Sequence, residues 1–122
     1  MTARVICLAA VCLIAITAEV RAADEAPPKS LDPRLKIELF AEQPQIVTPT
    51  GIDVDHLGRV WAIESNTHHR PGDYQGHDSD RILIFSGRDE NGRARNVITF
   101  ADGLVHAMSI AVRPDGSVYV AT

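Results

Sequence analysis

Two stretches of this chain alternate apolar and polar positions in the same way. In residues 109–122, Ser-Ile-Ala-Val-Arg-Pro-Asp-Gly-Ser-Val-Tyr-Val-Ala-Thr, Ile110 and Val112 alternate with small residues, and Val118 and Val120 do so again. A period of two predicts half-buried strands. Pro114-Asp115-Gly116 lies between them. Proline presets φ for the first turn position, aspartate bonds the backbone two residues on, and glycine takes the left-handed position that closes a hairpin. Residues 51–64 repeat the pattern at a constant offset of 58 positions, without a gap. Ile52 falls on Ile110, Val54 on Val112, Gly58 on Gly116, Val60 on Val118 and Trp61 on Tyr119, and the match reaches back to Ile46-Val47 on Leu104-Val105.

Two further strand-like runs lie between the copies, residues 81–86 and 96–100, joined across Asn91-Gly92, a strong hairpin signal. Within the first copy the inner strand is expected near residues 50–55 and the second near 59–63. Each period then holds four antiparallel strands, which is the content of a β-propeller blade. The reading is an all-β chain: a β-propeller fragment of about one and a half four-stranded blades after a signal peptide. A sandwich of generic hairpins is the alternative, since Asp-Gly turns are common, but a gapless repeat asks for more than turn chemistry. A helix in either copy would end the propeller reading.

Residues 1–22 read as an export signal. Arg4 supplies the positive start, residues 5–18 form a mostly apolar run too short to span a bilayer, and Val20-Arg21-Ala22 offers small residues for cleavage. Cys7 and Cys12 both fall inside it, so the mature piece has no thiol and no disulfide. That suits an exported, periplasmic or secreted protein. Residues 23–33 form a polar, proline-containing leader, and 34–122 the incomplete propeller. Residues 35–40 alternate and are expected as a strand that completes the last blade. A propeller closes with at least four blades, roughly 230 residues at this period. The chain is therefore expected to be the N-terminal piece of a longer protein, and inactive alone.

The net charge is −4 and the basic residues are scattered, so nucleic acid is not an expected partner. No metalloprotease, nucleophile-elbow, phosphate-loop or dinucleotide motif is present. Candidate chemistry concentrates in the irregular polar stretch 65–80, which carries three of the five histidines. Long loops on rigid scaffolds tend to carry function. Asn66, His68 and Arg70 are its candidate substrate- or cofactor-binding residues. His68 and His69 are adjacent and would point apart on a strand, so they do not suggest a shared metal, and no metal site is expected. His106 is the candidate catalytic residue. It lies two or three residues before the inner strand of the second copy, where propeller ligands bind, and could serve as a general base. Its repeat equivalent is Thr48, so the blade itself does not demand an imidazole. Packing under a loop is the competing role for His106. Asp102 is expected to orient the ring, and Asp80-Arg81 reads as an ion pair at the start of a strand.

Three ordered motifs carry a family resemblance: Ile-Glu-Ser-Asn-Thr-His-His-Arg-Pro, Ser-Asp-Arg-Ile-Leu-Ile-Phe, and Thr-Phe-Ala-Asp-Gly-Leu-Val-His-Ala-Met-Ser-Ile-Ala. Over roughly residues 34–122 they resemble the N-terminal propeller of exported planctomycete-type membrane-bound dehydrogenases, also called PVC-type haem-binding proteins. The resemblance implies a six-bladed propeller akin to soluble quinoprotein sugar dehydrogenases. It also implies downstream helical repeats and often a cytochrome c segment with a Cys-x-x-Cys-His site. No cofactor is expected within this piece; for the full-length protein the resemblance implies a PQQ-type quinone, calcium and haem c. One departure bears on calcium: where relatives carry an aspartate-rich turn, this chain has Asp89-Glu90-Asn91-Gly92-Arg93-Ala94, with fewer oxygen ligands, so a plain hairpin competes.

Two function classes follow. One is an exported dehydrogenase that oxidises a sugar-like or alcohol substrate and passes electrons to a cytochrome c acceptor. The other is a non-catalytic propeller scaffold that binds a ligand or protein. In both, the remainder of the propeller is an expected partner. Fold analogy does not decide between them.

Overall fold

A computed structural model describes residues 28–70 and 72–122. The expected signal, residues 1–22, and the first part of the leader lie outside the described residues. Those described are all-β with no helix. Strands β1 (Pro49–Val54), β2 (Val60–Glu64), β3 (Asp80–Arg88) and β4 (Ala94–Leu104) form one antiparallel sheet in sequence order, and β5 (Ser109–Val112) and β6 (Val118–Ala121) form a second. The four expected strand positions of the first sheet are met, with β3 and β4 longer than the hydrophobic runs alone suggested. Residues 35–40 are a correction, because they pair with no strand among the described residues. Alternation makes a strand only where a partner edge runs alongside, and here only Phe40 is tied in, its carbonyl accepting from Ala94 N at 2.8 Å.

The repeat is visible in the turns. Asp55 N donates to Arg59 O and Gly58 N to Asp55 O, at 3.0 and 2.9 Å. The same two bonds recur at Arg113, Gly116 and Ser117 and, between β3 and β4, at Asp89, Gly92 and Arg93. Each is a type I turn followed by a left-handed glycine, with φ of 75°, 86° and 82° at Gly58, Gly116 and Gly92. Asn91 is not left-handed, so Asn91-Gly92 closes this longer turn and not a two-residue loop. Asp55 Oδ1 accepts from Leu57 N and Arg59 N, and Asp89 Oδ1 from Asn91 N and Arg93 N, all within 3.0 Å. Replacing Gly58 or Gly116 with valine is expected to cost about 1–2 kcal/mol in urea denaturation, because a β-branched residue resists φ above zero. An unchanged midpoint for both variants would refute the turn assignment.

Each face of the first sheet has its own apolar cluster. On one face Trp61, Ile63, Ile82 and Ile84 pack with Ala107 against Ile110, Val112, Val118 and Val120 of the second sheet. Gly51 permits the approach: a Cβ there would lie 2.9 Å from Ser109 Cα. Polar clips cross the same interface, Thr50 Oγ1 donating to Ala107 O at 3.0 Å and Val112 N to Asp53 Oδ2 at 2.6 Å. The opposite face gathers Ile46, Ala62, Leu83, Phe85 and Ala94, packed in part by Phe40 and Ala41. Burying each large side chain contributes about 1.5–3 kcal/mol.

Candidate functional site

The loops that leave β2 and enter β5 meet at one end of the first sheet, and a buried carboxylate fixes both. Asp80, fully buried at the start of β3, accepts from Asn66 N at 2.6 Å and Thr67 N at 2.7 Å through Oδ1, and from Ala107 N at 2.7 Å through Oδ2. Burial opposes its ionisation, but these backbone donors outweigh that, so its pKa lies below the usual aspartate value. The backbone of both loops is therefore held by one side chain. Arg81 does not pair with Asp80, as the sequence suggested. Successive strand residues point to opposite faces, and Arg81 goes instead to the buried Glu64, Nε to Oε2 at 2.7 Å. Glu64 also accepts from Val47 N at 3.0 Å and Asn66 Nδ2 at 3.2 Å.

On this base the expected residues divide into two groups. Asn66 is 2% exposed and its amide is committed, Nδ2 to Glu64 and to Ser79 O, and Oδ1 to the hydroxyl of Tyr74. The Arg70 guanidinium donates to Asn66 O at 2.6 Å and to the carbonyls of His77 and Asp78, with its charge 5.5 Å from the Tyr74 ring centre. These two residues brace the loop. His68 and His106 are both exposed, and their rings meet edge to face with centroids 5.9 Å apart. Neither imidazole is hydrogen-bonded among the described residues, so each is free to accept from or donate to a hydroxyl. The backbone of His106 is left-handed, φ 55°, and its N–H donates to Thr67 Oγ1 at 2.8 Å. Thr48, its repeat equivalent, is the other non-glycine residue with positive φ among those described, at 46°. Left-handed backbone at a residue that is not glycine persists only where the surroundings impose it.

Asp102 does not orient His106. Its carboxylate binds the Ser79 hydroxyl and lies 3.4 Å from Nε2 of His77. The Ser79 hydroxyl and then Gly103 N hold the Asp102 pKa below the usual value. His69 is exposed beside His68.

The donor set of this loop and of the β3–β4 turn does not by itself suit a quinone or calcium, which the resemblance implies for the full-length protein and not for this piece. A quinone bearing several carboxylates needs cations that are free to meet them, and the guanidiniums of Arg70 and Arg81 are spent on carbonyls and on Glu64. Asp89 Oδ1 is occupied by two turn N–H groups, with Arg93 beside it, and among the described residues no cluster of three or more His, Cys, Asp or Glu is placed to hold a metal ion. Sequence reasoning took Asp80 only as a partner for Arg81 and assigned no role to Glu64 or Thr67. The available signal was a pair of acids flanking a long loop, Glu64 before it and Asp80 at its end.

A family model described as a domain of unknown function, DUF7133, matches residues 28–122. No curated protein and no solved structure matches the chain.

Proposed function

We propose a function for a chain that belongs to the DUF7133 family: it forms the first blades of an exported β-propeller and presents His68 and His106 as a binding site for a sugar-like or alcohol ligand. One observation carries this reading. Two imidazoles from different repeats meet at an exposed rim, 5.9 Å apart, while the backbone beneath both is fixed by a buried carboxylate. Prepositioned polar groups on a rigid scaffold suit recognition of hydroxyls better than mobile loop side chains do. The recurring hairpin, with matching left-handed residues at Thr48 and His106, supports the blade assignment.

A second reading is the sugar or alcohol dehydrogenase suggested by the three motifs. In it the His106 imidazole takes the hydroxyl proton of the bound substrate. The redox group and the cytochrome acceptor would have to be held by residues other than Arg70 and Arg81, since the guanidiniums of this loop are already engaged. One variant decides between the readings. In the full-length protein His106→Asn is expected to weaken binding of D-glucose or glycerol by about tenfold in calorimetry, the scale of one lost hydrogen bond. If the protein also turns these over with an artificial electron acceptor, the same variant should lower turnover by roughly 100-fold or more. Wild-type binding and turnover in both His106→Asn and His68→Asn would sink the site.

A further inference from the structure

The peptide planes on either side of His106 are held by two different side chains. The plane before it carries the His106 N–H, which donates to Thr67 Oγ1 at 2.8 Å. The plane after it carries the Ala107 N–H, which donates to Asp80 Oδ2 at 2.7 Å. A peptide unit is rigid, so fixing two successive planes fixes φ and ψ of the residue between them. That residue is left-handed here, φ 55°, an unfavourable conformation for a side chain with a Cβ. The direction in which the imidazole leaves the chain follows from those two bonds.

Asp80 supplies only one of them. Its three backbone donors are Asn66, Thr67 and Ala107, and the bond to residue 106 comes from Thr67. Thr67 is half-buried and precedes the exposed His68. Its hydroxyl faces Asp80 as well: against burial, and after the backbone donors, it helps hold that pKa low. One hydroxyl thus links the segment carrying His68 to the segment carrying His106, whose rings lie 5.9 Å apart.

We propose that Thr67 is the positioning residue of this rim: its hydroxyl, acting through the main chain of His106, sets the His106 ring against that of His68, a role that rests on the reading of these two histidines as a binding site. Thr67 therefore contributes to ligand binding without touching the ligand. Valine has nearly the shape of threonine and can neither accept from His106 N nor donate to Asp80.

The test uses the full-length protein with labelled histidine rings, with circular dichroism confirming the fold of each variant. A nuclear Overhauser contact between the His68 and His106 rings is expected in the wild type, lost in Thr67→Val and restored in Thr67→Ser. Calorimetry with D-glucose or glycerol should show affinity falling about threefold to tenfold in Thr67→Val and returning in Thr67→Ser, the scale of one neutral hydrogen bond. If Thr67→Val does not fold, Thr67→Ala takes its place under the same outcomes. A double-mutant cycle then asks whether the hydroxyl acts on the left-handed backbone. Glycine holds φ above zero without strain, so the drop in urea midpoint caused by Thr67→Val should shrink in a His106→Gly background. A ring contact unchanged in Thr67→Val overturns the positioning role, whether or not a sugar binds. An equal drop in both backgrounds does the same, since it would leave Thr67 a merely structural residue. Loss of the ring contact in a protein whose wild type binds neither ligand supports the positioning role and overturns the binding-site reading alone.

Discussion

Asp80→Ala is expected to lower folding stability by on the order of 3–5 kcal/mol, read as a shift in the urea midpoint. The carboxylate is fully buried and accepts from three backbone N–H groups, those of Asn66, Thr67 and Ala107. Each buried donor left without an acceptor costs about 1–3 kcal/mol, and water entering the gap recovers part of the sum. Asp80→Asn keeps one acceptor oxygen but sets an amide N–H₂ against a donor, so a smaller loss is expected. The acid limb separates charge from shape. The folded pKa of Asp80 is lowered, so the unfolded chain binds its proton more readily. Its contribution is complete above the ordinary aspartate value of about 3.9 and is lost as pH falls through the lower folded value. The wild type should thus lose more stability than Asp80→Asn between neutral pH and the acid region below that value. Equal acid slopes would show that the carboxylate carries no net charge contribution.

The same residue shows what the sequence could and could not reveal. Strands and turns were legible because they are local. Alternation marked β1, β2, β5 and β6, and Gly58 and Gly116 sat where their turns needed φ above zero. The equivalence of Thr48 and His106 was visible as an alignment, but their left-handed backbone was not, since tertiary bonds such as His106 N to Thr67 Oγ1 impose it. Asp80 looked like a partner for its neighbour Arg81, although its real partners lie 13 to 27 positions away. His106 was picked out by its place before a strand. Blade topology suggests that residues 66–70 return to the end where His106 lies, but not that the His68 ring is the one beside it, because that depends on how residues 65–80 fold back. Asn66 and Arg70 drew notice as polar loop residues, a pattern that does not distinguish side chains facing a ligand from side chains bracing the loop.

Trp61→Ala is expected to cost about 3–5 kcal/mol, the range for truncating a large buried aromatic. The indole is 4% exposed at the centre of the contact between the sheets, edge to face with Phe100 at 4.7 Å. Its Nε1–H donates to Asp55 Oδ2 at 2.9 Å, and Arg59 Nε reaches the same oxygen at 2.6 Å. Burial opposes ionisation of Asp55, but the donors from Trp61, Arg59 and Leu57 overcome it and hold the carboxyl well below the usual range. One side chain thus joins the first hairpin turn to the face that receives the second sheet. Trp61→Phe keeps much of the apolar contact and removes the donor, so its loss should be smaller than that of Trp61→Ala. Trp61 is the single tryptophan, so both variants need circular dichroism melts in place of fluorescence. Hydrogen exchange then locates the damage: in Trp61→Ala the amides of Val112 and Val118 should lose protection before those of Leu83 and Phe85, because the second sheet rests on the indole while β3 is held between β2 and β4. Uniform loss of protection across all six strands would mean that the two sheets unfold as one unit and that Trp61 is no selective joint between them.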